Sequence, residues 1–134
     1  MLSTDANKAL VLASIEDGWN TRRLSVFDEI FAPDLVDHSL PVWLPPRLEG
    51  RTKFVTLYWR AFPDLRLIVE DQIAEDDKVV TRWTARGTNR GELVDAQREI
   101  RSVAVTGISI DRFRAGKIVE SWTENNQLTM RPQR

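Results

Sequence analysis

The sequence predicts an α+β fold in which three helices pack on a curved, mostly antiparallel sheet. Apolar residues recur at helical spacing as far as Pro63, and they alternate with polar residues from Leu65 onward. The two patterns follow one another and are not interleaved, which distinguishes this class from βαβ proteins. Gly116 lies between two β-rich runs, and glycine readily takes the positive φ of a tight turn. The C-terminal third is therefore expected to form a long hairpin.

Three stretches of the N-terminal half have helical periodicity. Ser3 or Thr4 can cap the first, and the third follows Gly50. The second and third should end at Pro33 and Pro63, because proline cannot continue a helix. Their apolar faces are formed, in turn, by Val11, Leu12, Ile15 and Trp19; by Leu24, Phe27, Ile30 and Phe31; and by Phe54, Val55, Tyr58 and Phe62.

The segments between and after the helices predict one short extended piece, residues 35–39, a proline-rich loop, residues 41–46, and four strands. Gly107 lies within the long third strand, where we expect a bulge or bend. Residues 92–97 are expected to form the loop that precedes it. No linker or repeat interrupts the chain, so residues 1–134 are expected to form a single domain.

Composition excludes several classes of function. The 19 basic and 20 acidic residues give a net charge of −1, which argues against a nucleic-acid partner. There is no cysteine and one histidine, so neither a thiolate-bound metal nor a site with several histidines is expected. No apolar run approaches the roughly 18 residues of a membrane span, and the N-terminus does not resemble a signal peptide. A cytoplasmic protein without a membrane partner is the expectation.

Several short motifs resemble the SnoaL-like polyketide cyclase family of the NTF2-like superfamily. They are residues 32–38 (Ala-Pro-Asp-Leu-Val-Asp-His), residues 61–65 (Ala-Phe-Pro-Asp-Leu), Gly107-Ile108 with Arg112-Phe113, and residues 116–120 (Gly-Lys-Ile-Val-Glu) with Trp122. The similarity extends from about Trp19 to Leu128. It implies a cone-shaped fold with an apolar pocket between helices and sheet, and a homodimer formed through the outer face of the sheet.

The resemblance also implies a reaction and the position of its acid. These cyclases close a ring by an intramolecular aldol reaction without metal or organic cofactor. Their acidic side chain typically lies four residues after the tryptophan of the last strand, where this chain has Asn126. Members that support anthracycline hydroxylation look similar as well.

His38, Asn126 and Glu124 are the candidate catalytic residues. His38 is the side chain that would titrate near neutral pH, so it could act as a general base at the pocket; a histidine at a strand end satisfied by a neighbour is the alternative. Asn126 cannot exchange protons but could orient a carbonyl group. Glu124 could replace the missing carboxylate, or it could simply be solvated.

The candidate substrate-binding residues are mostly aromatic, because aromatic side chains commonly line ligand cavities. Trp122 is expected to face the cavity on the same side of its strand as Glu120. Arg82 could pair with Glu120 across strands or contact the substrate, and Trp43 could form a lid or a dimer contact. The full set is Trp122, Trp59, Tyr58, Phe62, Arg82, Glu120 and Trp43, with no metal ligand.

The resulting hypothesis is a cofactor-independent enzyme of lyase or isomerase type. It would act on a small, largely apolar carbonyl compound by proton transfer, as in aldol ring closure or isomerisation. One alternative uses the same pocket without catalysis, as a small-molecule binding protein or an accessory component of a hydroxylation. The other is an interaction module whose pocket is residual.

Overall fold

The structure, a computed structural model, describes residues 3–89 and 101–126. It contains three α-helices: α1 (Thr4–Ala13), α2 (Leu24–Ile30) and α3 (Arg47–Ala61). Ser3 caps α1 by accepting a hydrogen bond from the backbone N–H of Ala6. The first helix continues as a π-helical segment, Ser14–Asn20. Within the described part of the chain, no helix is long and apolar enough to cross a membrane.

Five strands form one mixed sheet. They are β1 (Phe31–Asp37), β2 (Arg66–Glu75), β3 (Lys78–Asn89), β4 (Arg101–Arg114) and β5 (Lys117–Asn125). Their order across the sheet is β1-β5-β4-β3-β2, and only β1 lies parallel to its neighbour. The predicted α+β class with a mostly antiparallel sheet is confirmed.

The first strand corrects the prediction for residues 31–39. Phe31 was expected on the second helix, but α2 ends at Ile30 and Phe31 begins β1. Pro33 explains the early end, because the residue before a proline is disfavoured in helical conformation. The extended piece thus belongs to β1, a strand in addition to the four predicted, which hydrogen-bonds to β5 along one edge of the sheet.

Two further expectations concerned glycines. The third helix begins at Arg47 and already includes Gly50, whose α-carbon lies so close to the carbonyl oxygen of Pro45 that a Cβ would clash with it. The hairpin turn is confirmed: Ala115 and Gly116 both have positive φ, 53° and 80°, as in a two-residue type I′ turn. The loop expected at residues 92–97 lies outside the described residues.

Gly107 does not form the expected bulge. It pairs in register with Trp83, and the breaks in register of the antiparallel pairs occur between Val69 and Asp71 and between Arg112 and Phe113. A Cβ on Gly107 would lie 2.3 Å from Cζ2 of Trp83. The glycine is therefore required by the tryptophan ring that covers it, and the backbone there stays regular.

The core lies between the helices and the inner face of the sheet. Phe27, Phe31, Leu35, Val55 and Ile118 are almost completely buried there. The alternation of side chains along β4 assigns Val103 and Val105 to this face, and it assigns Ala104, Ile108 and Ile110 to the opposite, outer face.

Replacing Gly107 by alanine should destabilise the protein, because the added methyl group overlaps the ring of Trp83. We expect a loss of about 1–3 kcal/mol in the free energy of unfolding, measured by urea denaturation. The same change in a Trp83→Phe background should cost clearly less, because the smaller ring removes the overlap. An equal loss in both backgrounds would mean that the ring is not the reason for the glycine.

Candidate functional site

A cavity of about 210 Å³ lies between the helices and the inner face of the sheet. One wall is formed by Phe54 and Tyr58, which share one face of α3, and by Phe62, which directly follows the helix. Their rings contact in sequence, with centroids 4.8 and 5.9 Å apart. Apolar residues of α1, β1 and β2, including Val11, complete the larger part of the lining.

The floor of the cavity is polar, and three neighbouring strands build it. Asp37 of β1 is in register with Ser121 of β5, which is in register with Asp111 of β4. The Ser121 hydroxyl donates a hydrogen bond to Oδ1 of Asp111 over 2.5 Å. Both side chains are buried, and Asp111 borders the cavity with only 5% of its surface exposed.

Arg51, in the first turns of α3, brings a positive charge to this floor. Its Nη1 lies 3.2 Å from Oδ2 of Asp37, and its guanidinium group is 4.7 Å from the ring centroid of Phe31. The other oxygen of Asp37 accepts a hydrogen bond from the backbone N–H of Ser39. The Arg51 and Asp37 side chains are 17% and 7% exposed, so solvent and salt screen this ion pair much less than a surface pair.

Burial raises the pKa of Asp111 above the ordinary aspartate value. The positive charge of Arg51 and the hydrogen bond from Ser121 act in the opposite direction, and the negative charge of Asp37 adds to the rise. Asp111 therefore keeps its proton to higher pH than an exposed aspartate does. In its protonated form it can donate a hydrogen bond into the cavity, whereas an ionised carboxylate only accepts.

A second polar row lies next to the floor. The Ser109 hydroxyl contacts Nε1 of Trp83 at 3.0 Å and the Thr123 hydroxyl at 2.9 Å. Thr123 is in turn held by Ser39, whose Oγ donates to the Thr123 carbonyl and accepts from its N–H. All four residues border the cavity, so hydroxyl groups extend from the floor along the wall formed by the sheet.

Tyr58 and Phe62 are the predicted substrate-binding residues that the structure places at the cavity. Trp59, on the same helix, instead donates a hydrogen bond from Nε1 to the carbonyl of Trp19 and lies 5.5 Å from the guanidinium of Arg22. Trp43 is 69% exposed in the proline-rich loop and does not border the cavity.

The placement of His38, Glu120 and Trp122 in the cavity is wrong. His38 stacks on Trp122, with ring centroids 5.0 Å apart and an angle of 11° between the rings. Its Nε2 lies 2.7 Å from Oε2 of Glu120, whose other oxygen accepts from Nε of Arg112. These hydrogen bonds, from His38 first and Arg112 second, lower the pKa of Glu120. We call His38, Arg112, Glu120 and Trp122 the outer-face cluster.

The alternation of β5 explains this error. Its cavity residues, Thr123 and Asn125, are odd-numbered, so Glu120 and Trp122 point to the other side of the sheet. The prediction assumed that the large aromatic residue faces inward. Here the inner face is polar because it forms the wall of a pocket, and the outer face carries the tryptophan.

Three more candidates also lie away from the cavity. Asn126 is exposed, and its Oδ1 accepts a hydrogen bond from the backbone N–H of Thr106. Glu124 and Arg82 are exposed on the outer face. The suggested pairing of Arg82 with Glu120 is wrong, because the strand register places Arg112 opposite Glu120.

The sequence interpretation missed the charged groups that do meet at the cavity, Asp37, Arg51 and Asp111. A signal for Asp111 was present. It is separated from Val105 and Phe113 by an even number of residue positions along β4, so it lies on the same inner face, where both are buried. No local signal identifies Arg51, because the third helix was expected to start only at this residue, directly after Gly50. Across residues 3–89 and 101–126, no group of three or more histidine and carboxylate side chains is arranged to hold a metal ion.

Comparison with protein families gives one match over most of the chain. The model of the SnoaL-like polyketide cyclases matches residues 9–134. The chain belongs to the SnoaL-like polyketide cyclase family. The resemblance noted from the sequence motifs is thereby confirmed, and the α+β architecture agrees with the NTF2-like fold of this family. No curated protein sequence gives a significant match.

Several solved structures are similar over nearly the whole chain. AclR from Streptomyces galilaeus, a proposed hydroxylase, is 31% identical with a TM-score of 0.82, and the alignment covers 96% of this chain and 94% of AclR. IdmH from Streptomyces antibioticus, a proposed polyketide cyclase, is 30% identical with a TM-score of 0.81 and coverages of 92% and 94%. A proposed SnoaL-like cyclase from Jannaschia sp. CCS1 shares the fold at 22% identity, with a TM-score of 0.81 and coverages of 95% and 90%.

Replacing Asp111 by asparagine should stabilise the protein at neutral and higher pH. Because folding raises the pKa of Asp111, its contribution to stability is complete below the ordinary value of 3.8 and is lost as the pH rises through the folded-state value. Asparagine keeps an acceptor for Ser121 and does not titrate. The stability difference between variant and wild type should therefore grow with pH above about 3.8, as measured by thermal melts across a pH series.

The matched control is Asp34→Asn, which neutralises an exposed carboxylate on β1. This change should alter the pH dependence of the melting temperature little. If Asp111→Asn instead lost stability relative to wild type as the pH increased, the ionised form of Asp111 would be the favoured one and our account of the floor would be wrong.

Proposed function

We propose that this protein is an enzyme that transfers a proton next to the carbonyl group of a small, largely apolar compound, as in aldol ring closure or isomerisation. The observation that supports this function best is the group Asp37, Arg51 and Asp111 at the floor of a mostly apolar cavity. Titratable side chains with perturbed environments in a concave site are typical of acid–base catalysis. We propose that neither a metal ion nor an organic cofactor takes part.

In the proposed reaction the carboxylate of Asp37 removes a proton from the carbon next to the carbonyl group. The electrons of that C–H bond move to the carbonyl oxygen, which becomes an enolate oxygen. Arg51 and the protonated Asp111 carboxyl stabilise this oxygen, because donors fixed in a water-poor site favour developing negative charge. In ring closure the α-carbon then attacks a second carbonyl carbon of the same molecule, and the alkoxide oxygen that forms takes the proton from Asp37. In isomerisation a different carbon of the delocalised enolate takes that proton instead. These roles replace those expected for His38, Asn126 and Glu124.

A second candidate function is that of an accessory component of a hydroxylation. The observation that favours it is the 31% identity with AclR, a proposed hydroxylase. The same floor could bind and deprotonate a substrate in either case. The two functions differ in one measurable respect, since a hydroxylation consumes an oxidant and an aldol closure or isomerisation does not.

The activity test uses an enolisable β-keto ester small enough for the cavity, with the oxygen concentration recorded in the same assay. Asp37→Asn and Asp111→Asn should each lower turnover by roughly 10²-fold or more, as expected for loss of a general base or acid. His38→Ala, in the outer-face cluster, should leave turnover unchanged, and so should exhaustive chelation of divalent metals. Melting temperatures establish that each variant is folded.

Two results would overturn this proposal. Full activity of both aspartate variants would show that the floor is not the acid–base site. Loss of activity in His38→Ala, with an unchanged melting temperature, would restore the histidine mechanism. Oxygen uptake that depends on the substrate would favour the second candidate function.

We also propose that the protein is a homodimer formed through the outer face of the sheet. Ile68, Ile73 and Ile108 are exposed on this face, and the three helices cover the other one. A second copy could bury these side chains in a two-fold symmetric contact. The outer-face cluster lies on the same surface, so it would then border the interface.

The dimer is tested by light scattering at micromolar concentration. The wild type should give the mass of two chains, about twice 15.4 kDa, and Ile108→Glu should give the mass of one, because a charge replaces an apolar contact. Leu24→Glu is the matched control, since Leu24 is similarly exposed but belongs to α2. A wild-type monomer, or a dimer that persists in Ile108→Glu, would contradict this interface.

A further inference from the structure

The positive charge of Arg51 dictates what the floor of the cavity can bind. A guanidinium group stays protonated at every relevant pH and carries five N–H donors. Its described anionic partner is Asp37, through one contact of 3.2 Å. With only 17% of its surface exposed and the ring of Phe31 on one side, Arg51 receives little help from water. A neutral Asp37 would leave a shielded cation without a counter-charge, which is strongly unfavourable.

Asp37 can therefore take up a proton only if another anion replaces it beside Arg51. If the ligand supplies the proton, the ligand becomes the anion, and the net charge of the floor does not change. Asp111 lies on β4 and is separated from Asp37 on β1 by Ser121 of β5. It borders the same cavity. Its carboxyl group in the protonated form would add a donor toward the new anion.

We propose that the floor of the cavity selects ligands with an acidic hydroxyl group, a phenol or the enol of a 1,3-dicarbonyl compound, and binds them as oxyanions that replace Asp37 as the partner of Arg51. In this step the O–H bond of the ligand breaks and the proton forms a new O–H bond on the carboxylate of Asp37. The oxygen keeps the electron pair. This inference rests on the proposed function in that it assigns a substrate class to the same site.

The dimensions of the cavity limit the size of the ligands that it can bind. A cavity of about 150 Å³ is enough for benzene, so the present volume of about 210 Å³ suits one ring with its substituents. Ser109 and Thr123 lie two residues along their strands from Asp111 and Ser121, which is about 7 Å at the strand rise of roughly 3.4 Å per residue. A second oxygen of the ligand, about that far from the acidic hydroxyl, would meet these hydroxyl groups.

The test uses 4-nitrophenol with the intact protein, because the phenolate and the phenol absorb at different wavelengths. Absorbance titrations give the pKa of the bound compound. We expect it to be lower than the pKa of free 4-nitrophenol by about one unit or more, which corresponds to a tenfold preference for the phenolate. The methyl ether, 4-nitroanisole, has the same ring but no proton to lose, and it should bind more weakly at every pH.

Two variants separate the roles of the charged groups. Arg51→Gln should abolish the pKa shift of the bound phenol. Asp37→Asn removes the competing anion, so it should bind the phenolate roughly tenfold or more tightly than wild type does, although it loses the proton acceptor. Arg82→Gln removes an exposed arginine of the outer face and is the control, with the wild-type shift expected. Melting temperatures accompany each titration.

The inference is overturned if bound 4-nitrophenol keeps the pKa of the free compound, if neither compound binds, or if Asp37→Asn binds the phenolate more weakly than wild type. Each of these outcomes is independent of turnover. Activity on the β-keto ester without a shifted phenol would overturn this inference and leave the proposed function standing. A lowered pKa of bound 4-nitrophenol, without turnover of any enolisable carbonyl compound, would overturn the proposed function and leave this inference standing.

Discussion

The pairing of β1 with β5 is the constraint on which the candidate site depends. Because β1 joins the sheet in parallel, Asp37 lies in register with Ser121, and through it with Asp111. The same pairing makes the neighbouring side chain point the other way, so His38 reaches Trp122 on the outer face. A chain that left residues 31–37 unpaired would have neither the floor nor the outer-face cluster. This short edge strand therefore positions polar groups on both sides of the sheet.

Burying three ionisable groups at one cavity has an energetic cost, which is reduced in two ways. Arg51 and Asp37 neutralise one another, and the ring of Phe31 accepts the guanidinium on its face. Among the residues that the structure describes, Asp111 has no ion-pair partner at short range, and burial favours its neutral form. The site therefore combines one ion pair with one carboxyl group that can carry a proton. An ion-paired aspartate beside a buried one gives the site both a proton acceptor and a proton donor, which proton transfer between positions of one substrate requires.

The sequence predicts the fold of this protein well and its site poorly, for different physical reasons. Helical and strand periods extend over many residues, so the class and the Ala115–Gly116 turn could be read from the chain. The site depends on which parity of each strand faces inward and on partners far apart in sequence. The rule that the more apolar side chains of a strand face inward fails here, because Trp122 is on the outer face, whereas Ser109 and Thr123 form the inner wall.

The two-residue turn between β4 and β5 has a consequence for how this protein can evolve. Substitutions at the cavity change one contact at a time, but an insertion of a single residue at Ala115–Gly116 would shift one strand against the other by one position. Every side chain of the shifted strand would then exchange sides: the glutamate and tryptophan of the outer surface would enter the cavity, and the serine and threonine would leave it. Diversification of ligand preference in this hairpin should therefore proceed by replacement of residues, while the length of its turn stays fixed.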